Sequence, residues 1–349
     1  MSPDHNHEQN HELNPEKKME LFFTREDNAF IRSKPKYWLH ILLFVTTFFS
    51  LMFAGTAWAN VSPYELSNLS KGLLYAVLIM SIITAHEFGH YIAARIHKID
   101  VTLPFYIPFP FIEFNPFGTM GAVIRIKSMI RSRKALFDMA VAGPIAGFVV
   151  TIIVLIIGFT TLPGIEYIYQ IHPEYRTTGI PTSGNFSFGY NILFWSFEKI
   201  FTSSPTVFMP PMNEVYHYPF LCAGWFGLLI TALNMLPVGQ LDGGHISYAM
   251  FGSKSKFVAY ITFGLLVFFG LLGLPDLLQA LGVLPPLGFD ISIGSVGWLI
   301  WALLIYFVIK IIHPPIVQDF NAPLGTTRVL LGWFSYFIFI VSFCPVPLT

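Results

Sequence analysis

Charge is scarce in this chain. Asp, Glu, Lys and Arg make up 11% of 349 residues, and acids and bases cancel to a formal net charge of zero. That balance leaves no electrostatic footprint for a polyanionic partner, so nucleic acid is excluded as a target. Cysteine is nearly absent. Cys222 and Cys344 lie in or beside apolar stretches and form neither a disulfide framework nor a metal-type pair. No cleavable signal peptide is visible, because residues 1–38 are polar and precede the first apolar run. That tail mixes acids, bases and His5, His7 and His11, and reads as a disordered cytoplasmic segment. Apolar residues, by contrast, fill 54% of positions, too many for a soluble domain. The expected class is an all-α polytopic membrane protein.

A membrane-spanning helix needs about 20 mostly apolar residues. Seven stretches qualify as candidates: 39–59, 72–94, 135–160, 215–236, 257–274, 295–312 and 329–345. The distribution of Lys and Arg orients them. Loop 95–134 holds Arg95, Lys98, Arg125, Lys127, Arg131, Arg133 and Lys134, whereas loop 161–214 holds only Arg176 and Lys199. Arg32, Lys34 and Lys36 precede the first span, and Lys254 and Lys256 the fifth. All place the N-terminus and loop 95–134 in the cytoplasm and loop 161–214 outside. Within 119–128, partial alternation predicts a strand or short hairpin at the cytoplasmic interface. Upstream, Pro104, Pro108, Pro110 and Pro116 predict a kinked, membrane-dipping loop rather than a helix.

The second span contains Thr84-Ala85-His86-Glu87-Phe88-Gly89-His90. Residues i and i+4 share a helix face, so His86 and His90 can reach one metal ion. Glu87, one residue on, is placed beside that ion as a general base, the spacing of a zinc hydrolase. Ionisable groups inside a span cost about 2.5 kcal/mol or more each on insertion scales and mark a functional interior. A catalytic zinc needs a third protein ligand. The fourth span ends in Asn234-Met235-Leu236-Pro237-Val238-Gly239-Gln240-Leu241-Asp242-Gly243-Gly244, running from outside inward as the His86 helix does. Asp242 is therefore either a helix cap at a cytoplasmic turn or the third ligand, and the matched depth of the two motifs favours the ligand. Asp138 reads as an N-cap or loop contact of the third span, and His245 as an interfacial residue.

These residues resemble the site-2 protease family of intramembrane zinc metalloproteases (peptidase family M50). The resemblance rests on His86–His90 on one span and Asn234…Pro237…Leu241-Asp242-Gly243 on a later one. It extends from about residue 70 to the C-terminus. The run Gly118–Ser128, Ala142-Gly143-Pro144 and His313-Pro314-Pro315 look like the PDZ-less subgroup that includes the plastid ethylene-dependent gravitropism-deficient proteins. The resemblance implies zinc held by His86, His90 and Asp242, a catalytic Glu87, and Asn234 as an amide near the substrate carbonyl. Many members carry an Asn three residues after the Gly-Pro of the third span; here Gly147 stands there.

The expected organisation is the tail 1–38 followed by a membrane metalloprotease domain 39–349, with a catalytic core at about 72–250. The expected activity is hydrolysis of peptide bonds in or near transmembrane segments, in regulated intramembrane proteolysis. Its partners would be the lipid bilayer and membrane proteins or signal-peptide remnants, with the active site near the cytoplasmic side. The edge of the 119–128 strand could bind an unwound substrate. Two other readings compete. A metal-ion transporter would need ligands through the whole membrane thickness, but the outer halves of these spans hold little beyond His217. A catalytically inactive scaffold would be expected to have lost Glu87 or a ligand.

Overall fold

The computed structural model describes residues 36–112, 115–182, 186–285, 293–314, 317–320 and 322–348. The tail with His5, His7 and His11, and Pro315, lie outside the described residues. Helix α1 spans Tyr37–Trp58, and a 3-10 segment, Leu66–Gly72, leads into α2, Leu73–Ile96. Strands β1 (Phe105–Pro108), β2 (Thr119–Val123) and β3 (Ile130–Ser132) precede α3, Arg133–Thr160. Short helices α4 (Glu166–Ile171), α5 (Tyr175–Thr178) and α6 (Ile192–Phe201) follow, then α7, Pro219–Asn234. Next come α8 (Asp242–Phe251), α9 (Ser255–Leu272), α10 (Leu274–Ala280), α11 (Gly297–Leu304), β4 (Val317–Asp319) and α12 (Thr326–Ser342).

Four apolar helical stretches are long enough to cross a bilayer: Tyr37–Trp58, Leu66–Ile96, Arg133–Thr160 and Asp242–Ala280. The apolar helices Pro219–Asn234, Gly297–Ile309 and Thr326–Ser342 are shorter, so seven full-length spans do not follow from the described residues. The reason is local. Pro219 starts α7 at its first turn, and the chain leaves helical geometry after Asn234; 16 residues reach about 24 Å. Helix α11 passes into a π turn, Ile305–Ile309, and stops at Lys310 with φ +70°. Exposed apolar side chains cover the outward faces of α1 (Ile41, Phe49), α9 (Phe257, Phe268) and α11 (Ile300, Leu303), as expected for lipid-facing surfaces. This is an integral membrane protein.

The N-terminus of α3 is capped by Ser132, whose hydroxyl accepts from the amide of Ala135. Asp138 is therefore not the N-cap: it sits more than one turn into α3, and its contact with the chain between α2 and α3 is through His97. Its carboxylate accepts both guanidinium donors of Arg328 at 2.7 Å and pairs with His97 Nε2 at 2.8 Å. One carboxylate so ties the end of α2, the start of α3 and the start of α12.

Strands β1 and β2 pair antiparallel, with Phe105 opposite Val123 and Tyr106 opposite Ala122, and a bridge at Val101–Ile126 extends the hairpin. The predicted strand 119–128 is thus regular only over Thr119–Val123, and the Pro-rich stretch contributes β1 rather than a loop throughout. Nor is the hairpin confined to one interface. Its turn carbonyls at Pro116 and Phe117 accept from Trp58 Nε1 (3.1 Å) and Tyr75 Oη (3.0 Å), at the end of the bundle where α1 finishes and α2 begins. Those side chains supply donors to backbone groups that lipid could not satisfy. β3 pairs in parallel with β4.

Candidate functional site

The two histidines of α2 point into the interface with α3 and are buried, as is Glu87. The helices meet closely there because α3 is bare: a Cβ at Gly143 would lie 2.1 Å from His90 Nε2, and one at Gly147 would lie 3.1 Å from His86 Cβ. Small residues permit this approach in a membrane bundle. Pro144, next along α3, has no N–H to return to the helix ladder.

Asp242 is brought in from the other side. α7 ends at Asn234, Met235–Leu241 loops back, and Asp242 opens α8. The loop folds onto the first turn of α8 so tightly that a Cβ at Gly243 would lie 2.0 Å from the carbonyl oxygen of Met235. The amide of Gly239, at φ +57°, donates to Ile311 at 2.9 Å and anchors the loop to the segment after α11.

His86 Nε2 and His90 Nε2 are 3.0 Å apart, and Asp242 Oδ2 lies 3.2 Å from the first and 3.3 Å from the second. His90 Nδ1 donates to the carbonyl of Met139 at 2.8 Å. A carbonyl only accepts, so Nδ1 carries a proton, and the neutral ring would turn its Nε2 lone pair to an ion shared with Asp242. Tetrahedral ligation with bonds of about 2.0–2.1 Å places donor atoms about 3.3 Å apart, so this N2O set fits a zinc ion. Glu87 lies at the same depth, outside that triangle, buried and facing the backbone of Ile124 just beyond β2. Thr84 and Tyr106 share a hydrogen bond of 2.9 Å that fixes β1 against α2 next to the histidines.

Of the sequence-predicted residues, His86, His90 and Asp242 converge, with Glu87 adjacent. Asn234 is half-buried at the last position of α7. His245 is half-buried. Its Nδ1 meets His313 Nε2 at 2.5 Å, and the His313 ring stacks on Tyr248 at 4.3 Å. Burial, then the neighbouring His245 ring, push His313 down to about 3. The run His313-Pro314 marked this segment in the sequence, but nothing local in it pointed to His245.

The sequence profile of Peptidase family M50 matches residues 74–272. Rice (Oryza sativa subsp. indica) "Probable zinc metalloprotease EGY2, chloroplastic" is 26% identical over 292 residues, covering 82% of this chain and 46% of its own length. Rice (subsp. japonica) "Probable zinc metalloprotease EGY1, chloroplastic" is 29% identical over 263 residues, 69% of this chain and 42% of its own. Its Arabidopsis thaliana namesake is 28% identical over 288 residues, 81% of this chain and 44% of its own. The chain thus spans less than half the length of these relatives. With more than half of its residues under the family profile, the chain belongs to Peptidase family M50.

Proposed function

We propose that this chain is an intramembrane zinc metalloprotease that hydrolyses peptide bonds in or near the transmembrane segments of membrane proteins. The observation that carries this reading is the triangle of His86, His90 and Asp242 donor atoms, 3.0–3.3 Å on each side, with buried Glu87 beside it. The names of the M50 relatives support it.

In this reading His86, His90 and Asp242 hold the zinc ion. When bound, zinc polarises the scissile carbonyl and makes water nucleophilic near neutral pH. Glu87 takes the proton from the attacking water, which adds to the carbonyl carbon, and passes it to the departing amide nitrogen, leaving a carboxylate and an amine. The amide of Asn234 donates to the developing oxyanion. A helical substrate hides its carbonyls in its own hydrogen bonds, so it must unwind first. The outer edge of β2, whose Met120 and Val123 are exposed, offers strand pairing to the extended form a few residues from Glu87.

The finer topology belongs to the same proposal: seven spans, three of them short, a cytoplasmic N-terminal tail 1–38, and a domain 39–349 with its core at about 72–250. The site then opens towards the cytoplasm and releases products there, which suits regulated proteolysis of anchored regulators or clearance of signal-peptide remnants.

The test is zinc content and cleavage of model transmembrane substrates by the purified chain in detergent. Glu87→Gln is expected to keep its metal and lose cleavage by about 1,000-fold or more. Asp242→Ala is expected to lose the metal bound at this centre. Full cleavage by Glu87→Gln overturns the assignment.

A further inference from the structure

At the end of the bundle where α1 finishes and α7 begins, a second set of metal-type donors meets. His172 follows α4, and Glu214 and His217 lie in the turn before α7. His172 Nε2 and His217 Nε2 are 3.1 Å apart, and Glu214 Oε2 is 3.4 Å from His217 Nε2. All three donor atoms lie within 4.8 Å of one another. The side chains are 16%, 0% and 3% exposed for His172, His217 and Glu214.

The surrounding hydrogen bonds leave this cluster short of positive charge. His217 Nδ1 donates to the carbonyl of Trp58 at 2.8 Å, and His172 Nδ1 donates to Glu174 Oε1 at 3.0 Å. Both partners are acceptors, so both rings carry a proton on Nδ1, and as neutral imidazoles they turn Nε2 lone pairs towards each other. Two lone pairs at that distance repel. Asn60 Nδ2 stands 3.5 Å from His172 Nε2, the outer limit of a hydrogen bond. On Glu214, Oε1 accepts from the Tyr175 hydroxyl (2.9 Å) and the Asn213 amide (3.2 Å). Its Oε2 is buried with no hydrogen-bond partner. A bridging proton could join one pair of these atoms and would leave the third uncompensated. A divalent cation satisfies all three.

We propose that His172, Glu214 and His217 form a second divalent transition-metal site of zinc type, which cross-links the two ends of the segment between α3 and α7 beside the end of α1. Three protein ligands leave one coordination position open, and His217 borders a cavity of about 410 Å³ shared with Trp58, Asn60, Lys71, Tyr75 and Tyr167. The Glu174 carboxylate and the Trp58 carbonyl hold the two imidazoles in their ligating tautomer from behind. From the start of α2 at Leu73 to His86 is about 20 Å of helix, so the two clusters bind separate ions.

The test counts metal in the full chain, purified in detergent and equilibrated with Zn²⁺ or Co²⁺. The His86→Ala/Asp242→Ala double variant removes the first centre. It is expected to retain about one zinc ion per chain and to give tetrahedral Co²⁺ absorption bands. Adding His172→Ala to that background is expected to abolish both. A double variant that binds no zinc overturns the proposal, whatever becomes of the cleavage reaction. Should the triple variant not fold, Glu174→Gln decides. Glu174 is exposed, and losing its carboxylate behind His172 is expected to weaken zinc binding in the double-variant background by about 10–100-fold. Unchanged affinity there also overturns the proposal.

Discussion

Gly143 has no room for even a methyl group, since a Cβ there would lie 2.1 Å from His90 Nε2. The obstacle is the ring that carries a proposed ligand atom, so relief comes only by moving that atom or parting α2 from α3. Gly143→Ala is expected to lose the metal of the His86 centre and at least about 100-fold in cleavage rate, read by metal analysis and turnover. At Gly147 the corresponding gap is 3.1 Å to His86 Cβ, which a small helix shift can open. Gly147→Ala is therefore expected to keep its metal and lose about tenfold or less. Equal losses in the two variants would refute the distinction. His313 gives a pH prediction. Its value is pushed down to about 3, so between the ordinary histidine value and that point the unfolded chain binds a proton that the folded chain refuses. Stability at this residue is present at neutral pH and falls as pH drops through that window. His313→Gln is expected to flatten the fall in unfolding temperature between pH 7 and pH 5 in detergent, and an identical slope in both proteins would count against it.

Asp138 shows how elements are fastened here. One carboxylate holds Arg328 by two 2.7 Å bonds and His97 by one of 2.8 Å, joining the ends of three helices. These side chains are 23–33% exposed, which discounts the pairing. Asp138→Asn is expected to cost about 1–2 kcal/mol, seen as a lower unfolding temperature. Arg328→Lys recovers little, because an ammonium cannot reproduce the two-pronged contact. None of this was legible in the sequence, since Asp138 and Arg328 are 190 residues apart. The pair His86 and His90 was legible because four residues on a helix is a spatial statement in itself. Asp242 could be matched to them through span order and depth. The lengths of α7 and α11 escaped the hydropathy windows, which register apolar content but not the residue at which the backbone leaves its ladder. His245 with His313, and His172 with Glu214 and His217, escaped for the same reason as Asp138: their partners come from separate segments.

Across the whole molecule, the ends of the helices sort into two faces. Tyr37, Ile96, Arg133 and Asn234 belong to one, and Trp58, Leu73, Thr160 and Pro219 to the other. Exposed positions on opposite faces, such as Lys98 and Thr178, therefore serve as probes. With Cys222 and Cys344 replaced, Lys98→Cys and Thr178→Cys are expected to react with an impermeant maleimide from opposite sides of sealed vesicles. Labelling of both from one side would break the proposed topology. Among the described residues the two metal-type clusters are separate groups. Between them, α2, α3 and α7 pack through Ile79, Ile82, Leu155 and Leu228, all 0–1% exposed. The split between α2 and α8 has a further consequence, in time. A ribosome adding about 5–20 residues per second needs on the order of ten to thirty seconds to pass from His90 to Asp242. Throughout that interval the growing chain carries the histidines and Glu87 without the aspartate, and on the proposed assignment it would be a bystander to the newly inserted proteins around it.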